Sequence, residues 1–224
     1  MSGVFIALEG VDGSGKSTIA KRLVLTLQES GRRAILTREP GGTAIGEQIR
    51  TVLLGQQSSS MLPTTEMLLF AAARAQLVGE VIMPALHESK IVVADRFSDS
   101  SLAYQGGARG LERASVIQAQ FLATGGLEPD LKILLDVPIE AALQRRMGDS
   151  HQVNRLDREA VQFHRRVRDA YHLLVEADRG RWRVIDANRP EEDVWSDVWL
   201  TVTSSELLAK VPNPAHAKSA RRRP

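Results

Sequence analysis

The sequence predicts an α/β protein in three layers, with a five-stranded parallel sheet flanked by helices on both faces. Five short apolar runs recur along the 224 residues, and segments with helical spacing separate them. The runs are apolar throughout rather than alternating with polar residues, which is typical of parallel strands buried on both faces. Ligands bind such sheets outside the carboxyl ends of the strands, so we expect the functional residues there.

The predicted strands are apolar runs of four or five residues at 4–8, 34–37, 91–94, 131–135 and 182–185. Between them, residues 16–30 carry Ile19, Leu23 and Leu27 at intervals of four, which predicts a helix. Residues 156–174 keep a helical period over more than five turns, and we predict one long helix there. No internal repeat or linker interrupts this order, so we expect a single domain over residues 1–207.

Residues 66–86 form the most apolar of the predicted helices. Apolar residues occur nearly all round it, so the helix must be covered on more than one side. The pattern leaves two interpretations open. The helix is buried under neighbouring elements of its own chain, or it packs against a second subunit.

The composition excludes several kinds of site. The chain has no cysteine, which excludes disulfides, thiol nucleophiles and thiolate metal sites. Its five histidines are scattered without the spacing of metal ligands. We see neither a run of about eighteen apolar residues nor a secretory leader, and therefore expect a cytoplasmic protein without a membrane partner.

The basic character of the chain is concentrated at its end. Five of the 29 basic residues and none of the 27 acidic ones lie from Leu208 onward, so the preceding residues carry a net charge of −3. Residues 208–224 contain little to bury, and we predict a basic, disordered tail. A nucleic-acid arm and a solvated extension both fit this composition. Because the body is not basic, we do not expect nucleic acid as a partner.

Residues 10–17 read Gly-Val-Asp-Gly-Ser-Gly-Lys-Ser, directly after the first predicted strand. They match the phosphate-loop pattern Gly-x-x-x-x-Gly-Lys-Ser/Thr, in which backbone N–H groups and a helix N-terminus converge on phosphate oxygens. Lys16 would reach the β and γ phosphates, and the Ser17 hydroxyl would bind magnesium. The prediction is therefore the three-layer P-loop NTPase fold, with nucleotide-binding residues Gly10, Val11, Asp12, Gly13, Ser14, Gly15, Lys16, Ser17 and Thr18.

The strand at 91–94 ends in Asp95, a position typical of the magnesium carboxylate of phosphoryl-transfer proteins. Arg96 follows directly, where a cation would meet a second anionic group beyond the γ-phosphate. A surface ion pair remains the alternative for these two residues.

Signatures of other nucleotide-binding classes are absent from the sequence. Neither the Asn-Lys-x-Asp motif of guanine-nucleotide switches nor the Leu-Ser-Gly-Gly-Gln signature of transporter ATPases occurs. A kinase for a small acceptor needs instead an acceptor pocket and a basic flap. A nucleotide-dependent binding or switch protein stays open as the alternative.

Candidates for the pocket and the flap both occur. Phe70 and Arg74, four residues apart, share one helix face and suit a flat base with polar edges, although the pair taken alone favours a core phenylalanine with a rim arginine. The flap candidate is residues 143–157, where Arg145, Arg146 and Arg155 surround a polar, glycine-containing centre. Arginines that close over a moving phosphoryl group stabilise its charge.

The segments VFIALEGVDGSGKST, TREPGGT, LLFAAAR, VVADRFSDSSLAYQGGARG, PDLKILLDVP and VIDA together resemble the bacterial thymidylate kinase family, over residues 3–203. The resemblance implies magnesium-dependent transfer of the γ-phosphoryl group of ATP to dTMP, in dTTP biosynthesis. It also implies a homodimer through the helix near residues 66–86. A kinase for another nucleoside monophosphate is the alternative within this class.

The resemblance further implies roles for individual side chains around dTMP. Phe70 would stack on thymine, with Arg74, Ser101 and Gln105 near the base. The residues at the acceptor's phosphate would be Arg38, Arg50 and Arg96. Tyr104 would crowd the 2′ position and Asp12 would approach the 3′-hydroxyl or a metal-bound water, while Asp95 would serve magnesium.

The family places its catalytic arginine either in the phosphate loop or in the lid. Ser14 occupies the loop position here, so the resemblance implies a lid arginine. The lid departs from the family pattern at Asn154, where aspartate usually stands, so the choice among its arginines stays open. The predicted catalytic residues are Lys16, Asp12, Arg96, Arg145 and Arg155, with Arg145 also at ATP.

Overall fold

The computed structural model describes residues 3–147 and 154–211. It contains one parallel sheet of five strands in the order β2-β3-β1-β4-β5. The strands are β1 Val4–Glu9, β2 Ala34–Arg38, β3 Ile91–Asp95, β4 Leu131–Asp136 and β5 Trp182–Asp186. The predicted sheet is confirmed.

Each strand runs one residue beyond its predicted end. The five added residues are all charged: Glu9, Arg38, Asp95, Asp136 and Asp186. Apolarity alone cannot detect them, because a backbone ladder continues whatever side chain it carries. They pair in register, Arg38 opposite Asp95 and Asp136 opposite Asp186. The carboxyl edge of the sheet is therefore a row of charges, where ligands bind in this class of fold.

Helices surround the sheet. Those in the described residues are α1 Lys16–Glu29, α2 Ala44–Leu54, α3 Pro63–Leu77, α4 Met83–His87, α5 Ser98–Ser101, α6 Arg113–Thr124, α7 Ile139–Met147, α8 Val161–Ala177 and α9 Glu191–Ser204. π-helical turns at Val78–Ile82 and Leu102–Ala108 continue α3 and α5.

Two apolar clusters confirm that helices cover both faces of the sheet. Ile6 and Leu8 of β1 pack in one cluster with α1, α8 and α9, whereas Phe5 and Ala7 pack in the other with the α3–α4 helix. Alternate residues of a strand point to opposite faces, so an apolar run such as β1 serves both cores.

The apolar helix predicted near 66–86 is confirmed as a continuous helix, α3 with its π turn and α4. By its length and its mean hydropathy of 1.4, this helix could cross a membrane. Core helices of soluble proteins meet the same two criteria. Here it buries two charged side chains, Glu66 and Arg74, and packs Leu77 and Ile82 into the second core.

The prediction of one helix over 156–174 is wrong at its start. Leu156–Arg158 form a 3-10 turn, Glu159 and Ala160 are extended, and α8 begins only at Val161. The interruption has a local cause, because the Asp157 carboxylate accepts from the Asn154 N–H and from Arg146. These contacts fix the chain before the helix begins.

The described end of the chain is packed. Glu206–Lys210 form a 3-10 helix, and both Leu208 and Val211 are buried. Arg32 Nη1 donates to the Leu208 carbonyl at 2.7 Å. The predicted tail boundary at 208 thus falls inside an ordered segment, and residues 212–224 lie outside the described residues.

Candidate active site

The phosphate loop connects β1 to α1, and three of its glycines have backbone angles that favour glycine. Gly10, Gly13 and Gly15 have φ values of 139°, 82° and 91°. A Cβ on Gly13 would lie 2.1 Å from the Ala142 carbonyl oxygen, so α7 approaches the loop closely. A Cβ on Gly15 would meet nothing within 4 Å. The loop therefore borders open space at the N-terminus of α1.

Lys16 is buried at the end of this loop. Its Nζ donates to the Val11 carbonyl oxygen at 2.7 Å and to Ser14 Oγ at 3.3 Å. Burial, followed by the charge of Arg96, lowers the pKa of Lys16 to about 8. An incoming anion would oppose both effects, so the site favours binding of phosphate by the protonated amine.

Ser17 and Asp95 meet across the carboxyl edge of the sheet, where Ser17 Oγ donates to Asp95 Oδ2. Hydroxyl and carboxylate oxygens are ligands that Mg²⁺ prefers. Within 3–147 and 154–211 no group of three or more His, Asp or Glu side chains forms a metal cage. Two protein oxygens suit magnesium that is shared with nucleotide phosphates, so the donor set fits that ion.

Arg96 has the left-handed backbone angle φ 77°, rare for a residue other than glycine. Its Nη2 donates to Asp12 Oδ1 at 2.8 Å and to the Tyr104 hydroxyl at 3.0 Å, and its Nη1 donates to the Gly10 carbonyl at 2.8 Å. Tyr104 also donates to Asp12 Oδ2 at 3.0 Å. Backbone strain of this kind clusters at functional sites, where the surroundings hold it in place.

These contacts set the charge of Asp12. Burial alone would raise the pKa of this carboxyl, but Arg96 and Lys16 outweigh it and hold the pKa well below its usual range. Asp12 is therefore an anion between two cations. The family resemblance implies that Asp12 and Arg96 lie near the acceptor, and the structure brings the two side chains into direct contact.

A buried carboxylate behind Arg96 is a feature that the sequence analysis missed. Glu9 accepts from the Phe97 N–H at 2.8 Å, from Ser100 Oγ at 2.6 Å and from the Tyr171 hydroxyl at 2.8 Å. Burial raises the pKa of Glu9, and Arg96 opposes that shift. Ser100 and Tyr171 also accept from Arg96 Nη1, at 3.1 and 3.2 Å. The signal that could have revealed this carboxylate is the position of Glu9, a charged residue directly after the predicted apolar strand 4–8.

These groups open into a cleft of about 410 Å³. Most of the predicted site residues line it, namely Asp12, Gly13, Gly15, Lys16, Ser17, Thr18, Arg38, Arg50, Phe70, Asp95, Arg96, Ser101, Tyr104, Gln105 and Arg145. Sequence reasoning did not assign a role to further lining residues, Glu39, Pro40, Leu54, Asn154 and Leu156. Phe70 is half-buried there and packs against the first core.

Arg74, predicted near the base, lies behind the cleft wall rather than on it. It is fully buried and forms an ion pair with Glu39. Its Nη1 donates to Ser101 Oγ at 3.0 Å and to Gln120 Oε1, and its Nη2 donates to the Phe97 carbonyl at 3.1 Å. All of its N–H groups thus have protein acceptors.

Arg38 and Arg50, unlike Arg74, line the cleft wall. Arg38 Nη2 lies 2.9 Å from each carboxylate oxygen of Glu47, and Arg50 Nη1 donates to the Pro40 carbonyl at 2.8 Å. The peptide bond between Glu39 and Pro40 is cis. Burial and the neighbouring Arg38 lower the pKa of Arg50. Two cations of this wall therefore face the same space.

The lid arginines separate into two groups. Arg145 and Arg146, in the last turn of α7, line the cleft, and Arg145 also borders a smaller cavity of about 300 Å³ beside Ala187. Arg145 Nη1 donates to the Ala187 carbonyl at 2.9 Å, and Arg146 forms a two-point contact with Asp157 at 2.9 Å. Residues 148–153, the centre of the predicted lid, lie outside the described residues.

Arg155, predicted as catalytic, lies away from the cleft in the structure. It is buried, its Nε donates to the Leu53 carbonyl at 3.1 Å, and its Nη2 pairs with the buried Glu66. Its neighbours Asn154 and Leu156 face the cleft instead. Spacing within the lid could not reveal which of its arginines line the cleft and which are buried against the rest of the protein.

Comparison with known proteins points to one family. The profile of the thymidylate kinase family matches residues 8–198. The chain is 49% identical to a thymidylate kinase of Thermomicrobium roseum over 199 residues, covering 89% of this chain and 94% of that protein. It is 50% identical to one of Desulforudis audaxviator over 203 residues, covering 90% and 91%. A crystal structure of thymidylate kinase from Ehrlichia chaffeensis matches with a TM-score of 0.73 and 30% identity, covering 89% of this chain and 98% of that chain.

Proposed function

The chain belongs to the thymidylate kinase family, and from that premise we propose how its own residues transfer a phosphoryl group from ATP to dTMP. The reaction is the phosphorylation of dTMP with ATP as the donor. The observation that carries our assignment of roles is a single cleft. Its lining includes residues of the phosphate loop, Phe70 and Arg96.

The donor end of the cleft is the N-terminus of α1. We assign the phosphates of ATP to the backbone of residues 10–18, with the Lys16 ammonium on the β and γ groups. Magnesium would be held by Ser17 Oγ and Asp95, whose oxygens already lie in contact. When bound, the ion neutralises charge on the β and γ phosphates. Arg145, between the cleft and the smaller cavity, would contact ATP and the moving phosphoryl group.

The acceptor end is assigned to dTMP. Phe70 offers an aromatic face for thymine, and Ser101 and Gln105 offer polar groups beside it. Arg74 acts from behind, since it donates to Ser101 rather than to the cleft. Tyr104 and Asp12 also line the cleft, and we assign them to the sugar: the Tyr104 ring would crowd a 2′-hydroxyl, and Asp12 would face the 3′-hydroxyl.

The acceptor's phosphate is assigned to Arg96, supported by Arg38 and Arg50. The described residues occupy both terminal nitrogens of Arg96 and leave its Nε–H without an acceptor. An anion at this point would be held by a guanidinium whose position is already fixed. Such preorganised cations stabilise developing charge without reorganisation during the reaction.

No side-chain nucleophile is needed for this chemistry. A phosphate oxygen of dTMP forms the new bond to the γ-phosphorus, and the bond from that phosphorus to the bridging oxygen of ADP breaks. The protein contributes alignment of the two nucleotides and neutralisation of charge. Arg145 and Arg146 lie where a lid would cover the transferred group, and exclusion of water there would prevent hydrolysis.

We also propose a cytoplasmic homodimer, formed through the α3–α4 helix and its neighbours. α3 packs between α2 and α6, and this layer exposes large apolar side chains: Ile45, Val52, Leu68 and Leu122. Such a patch is typical of an interface between subunits. Sedimentation at working concentration tests this, with a dimer expected; a monomer would contradict it.

The role assignment is tested by an acceptor panel. ATP is offered with each nucleoside monophosphate in turn, and ADP and the diphosphate product are followed. We expect fast turnover with dTMP and its loss in Lys16→Ala, whereas Lys21→Ala, at an exposed position five residues further along α1, should match the wild type. Turnover with CMP or AMP in place of dTMP would contradict the acceptor assignment.

A further inference from the structure

Three side chains from two other parts of the chain converge on one buried carboxylate, Glu66 in α3. Its side chain is 1% exposed. Gln105 Nε2 donates to its Oε1 at 3.0 Å, Arg109 donates to both oxygens at 3.1 and 3.0 Å, and Arg155 Nη2 donates to Oε2. These hydrogen bonds outweigh burial and lower the pKa of Glu66. The carboxylate is therefore ionised and fully engaged.

Glu66 does not line the cleft, but the segments that it holds do. Gln105 lines the cleft directly. Phe70, one helical turn after Glu66, is the proposed stacking face for the base. Arg155, which is bound to Glu66, lies in sequence between Asn154 and Leu156, two lid residues that line the cleft. Glu66 thus connects the part of the cleft assigned to the nucleobase with the end of the lid segment, residues 143–157.

The contact with Glu66 also decides which way the Gln105 amide points. Because its Nε2 donates to Glu66, its Oε1 is turned the other way, and among the described residues nothing donates to that oxygen. Gln105 is nearly fully buried yet borders the cleft. Rotating the amide by half a turn would set its oxygen against the Glu66 carboxylate, so two acceptors would face each other.

An acceptor fixed at this point discriminates between pyrimidines. The ring nitrogen N3 of thymine or uracil carries a hydrogen and can donate to Oε1. The same atom of cytosine is itself an acceptor, so cytosine would leave both groups without a hydrogen bond. A site that hydrogen-bonds one ligand rejects a mismatched one because its buried polar groups are left unpaired.

We propose that Glu66 is a positioning residue that locks the Gln105 amide with its oxygen toward the acceptor's base. The cleft thereby selects pyrimidines with a ring N–H over cytosine. This inference rests on the proposed function, since it places the base of the acceptor beside Gln105. Arg109 and Arg155 keep Glu66 ionised and in place, and the selection itself is made through Gln105.

The test compares two variants with the same chemical change. Glu66→Gln gives residue 66 an N–H of its own, so that Gln105 can rotate without facing a second acceptor. Glu159→Gln makes the same change in the same cluster, because Glu159 contacts Arg109 at 2.7 Å but no described contact joins it to Gln105 or Arg155. Calorimetry measures the dissociation constants of dTMP and dCMP for each protein.

We expect the wild type to prefer dTMP, and Glu66→Gln to reduce the ratio of the two dissociation constants about tenfold. Glu159→Gln should keep the ratio within about twofold. If Glu66→Gln does not fold, as judged by circular dichroism, Gln105→Met supplies the second variant. It removes the amide, leaves Glu66 with both arginines, and should lower the same ratio.

An unchanged ratio in the folded Glu66→Gln variant, or in Gln105→Met, would overturn the inference. So would an equal loss in Glu159→Gln, because a general change of charge would then explain the result. Binding is measured without turnover, so the two claims separate. A wild type that forms no dTDP would contradict the proposed function, whereas a ratio that falls in Glu66→Gln and not in Glu159→Gln would still support the role of Glu66.

Discussion

Arg96 Nη2 lies 2.8 Å from Asp12 Oδ1, so that a cation at the end of β3 pairs with a carboxylate inside the phosphate loop. This contact joins the phosphate loop to the residue that follows β3. Asp12 is held ionised by Arg96 and Lys16, and Arg96 is held in a rare backbone conformation by contacts on both of its terminal nitrogens. The phosphate loop and Arg96 are therefore positioned by each other.

Replacing Arg96 by lysine should lower kcat/KM for dTMP about 100-fold, because an ammonium cannot reproduce the planar fork that contacts Asp12, Gly10 and Tyr104 together. Steady-state kinetics with dTMP as the varied substrate measures the change. Arg113→Lys, at an exposed position of α6, is the matched control and should leave kcat/KM unaltered. A loss below threefold in Arg96→Lys would show that the fork is not needed.

The pKa of Lys16, lowered to about 8, predicts a dependence of ATP binding on pH. As the pH rises through 8, the free enzyme loses the ammonium charge, so kcat/KM for ATP should decline above that pH. Bound phosphate raises the pKa of Lys16 and keeps its amine protonated, so kcat at saturating ATP should change less with pH. Lys16→Arg stays protonated and should remove this limb of the profile. A profile for the wild type that is flat between pH 7 and about 9.5 would contradict the assigned role.

Two variants of Tyr104 separate its ring from its hydroxyl. Tyr104→Ala should raise the relative rate with 5-methyluridine monophosphate, because removing the ring opens space for a 2′-hydroxyl. Tyr104→Phe keeps the ring and loses only the hydroxyl, with its 3.0 Å bonds to Asp12 and Arg96, and should keep the preference for deoxyribose. The ratio of kcat/KM for the two acceptors decides this. An alanine variant with the selectivity of the wild type would remove Tyr104 as the sugar gate.

The lid arginines should differ in what their removal affects. Arg145→Ala should lower kcat about 100-fold with an unchanged melting temperature, since Arg145 lines the cleft. Arg155→Ala should instead destabilise the fold by about 2 kcal/mol, because Glu66 loses one of its cationic partners in a buried site. Thermal unfolding and kinetics are measured on both proteins. A large loss of kcat in Arg155→Ala, with a loss of stability in Arg145→Ala instead, would assign the catalytic role to Arg155.

Much of the site could be predicted because its parts are contiguous in sequence. The phosphate loop, Lys16 and Ser17 lie in one segment after a strand, and Asp95 and Arg96 end another. The carboxyl ends of parallel strands meet at one edge, so sequence order alone brings these residues together. The apolar rule for strands failed only at their charged last residues, two of which, Arg38 and Asp95, line the cleft.

The contacts between distant residues could not be predicted in this way. Glu9 bonds Tyr171, and Glu66 bonds Arg155, across the whole fold. A single sequence does not reveal which buried cation will meet which carboxylate, because the partners are brought together only by tertiary packing. For the same reason the sequence assigned Arg74 and Arg155 to the ligand, whereas both are engaged by carboxylates of the protein.

The configuration at phosphorus tests the central claim, direct transfer between two nucleotides in one cleft, most directly. ATP made chiral at its γ-phosphorus is allowed to react with dTMP, and the stereochemistry of the transferred group in dTDP is determined. A single in-line displacement predicts inversion. Retention would mean two displacements through a phosphorylated side chain, and would contradict the account.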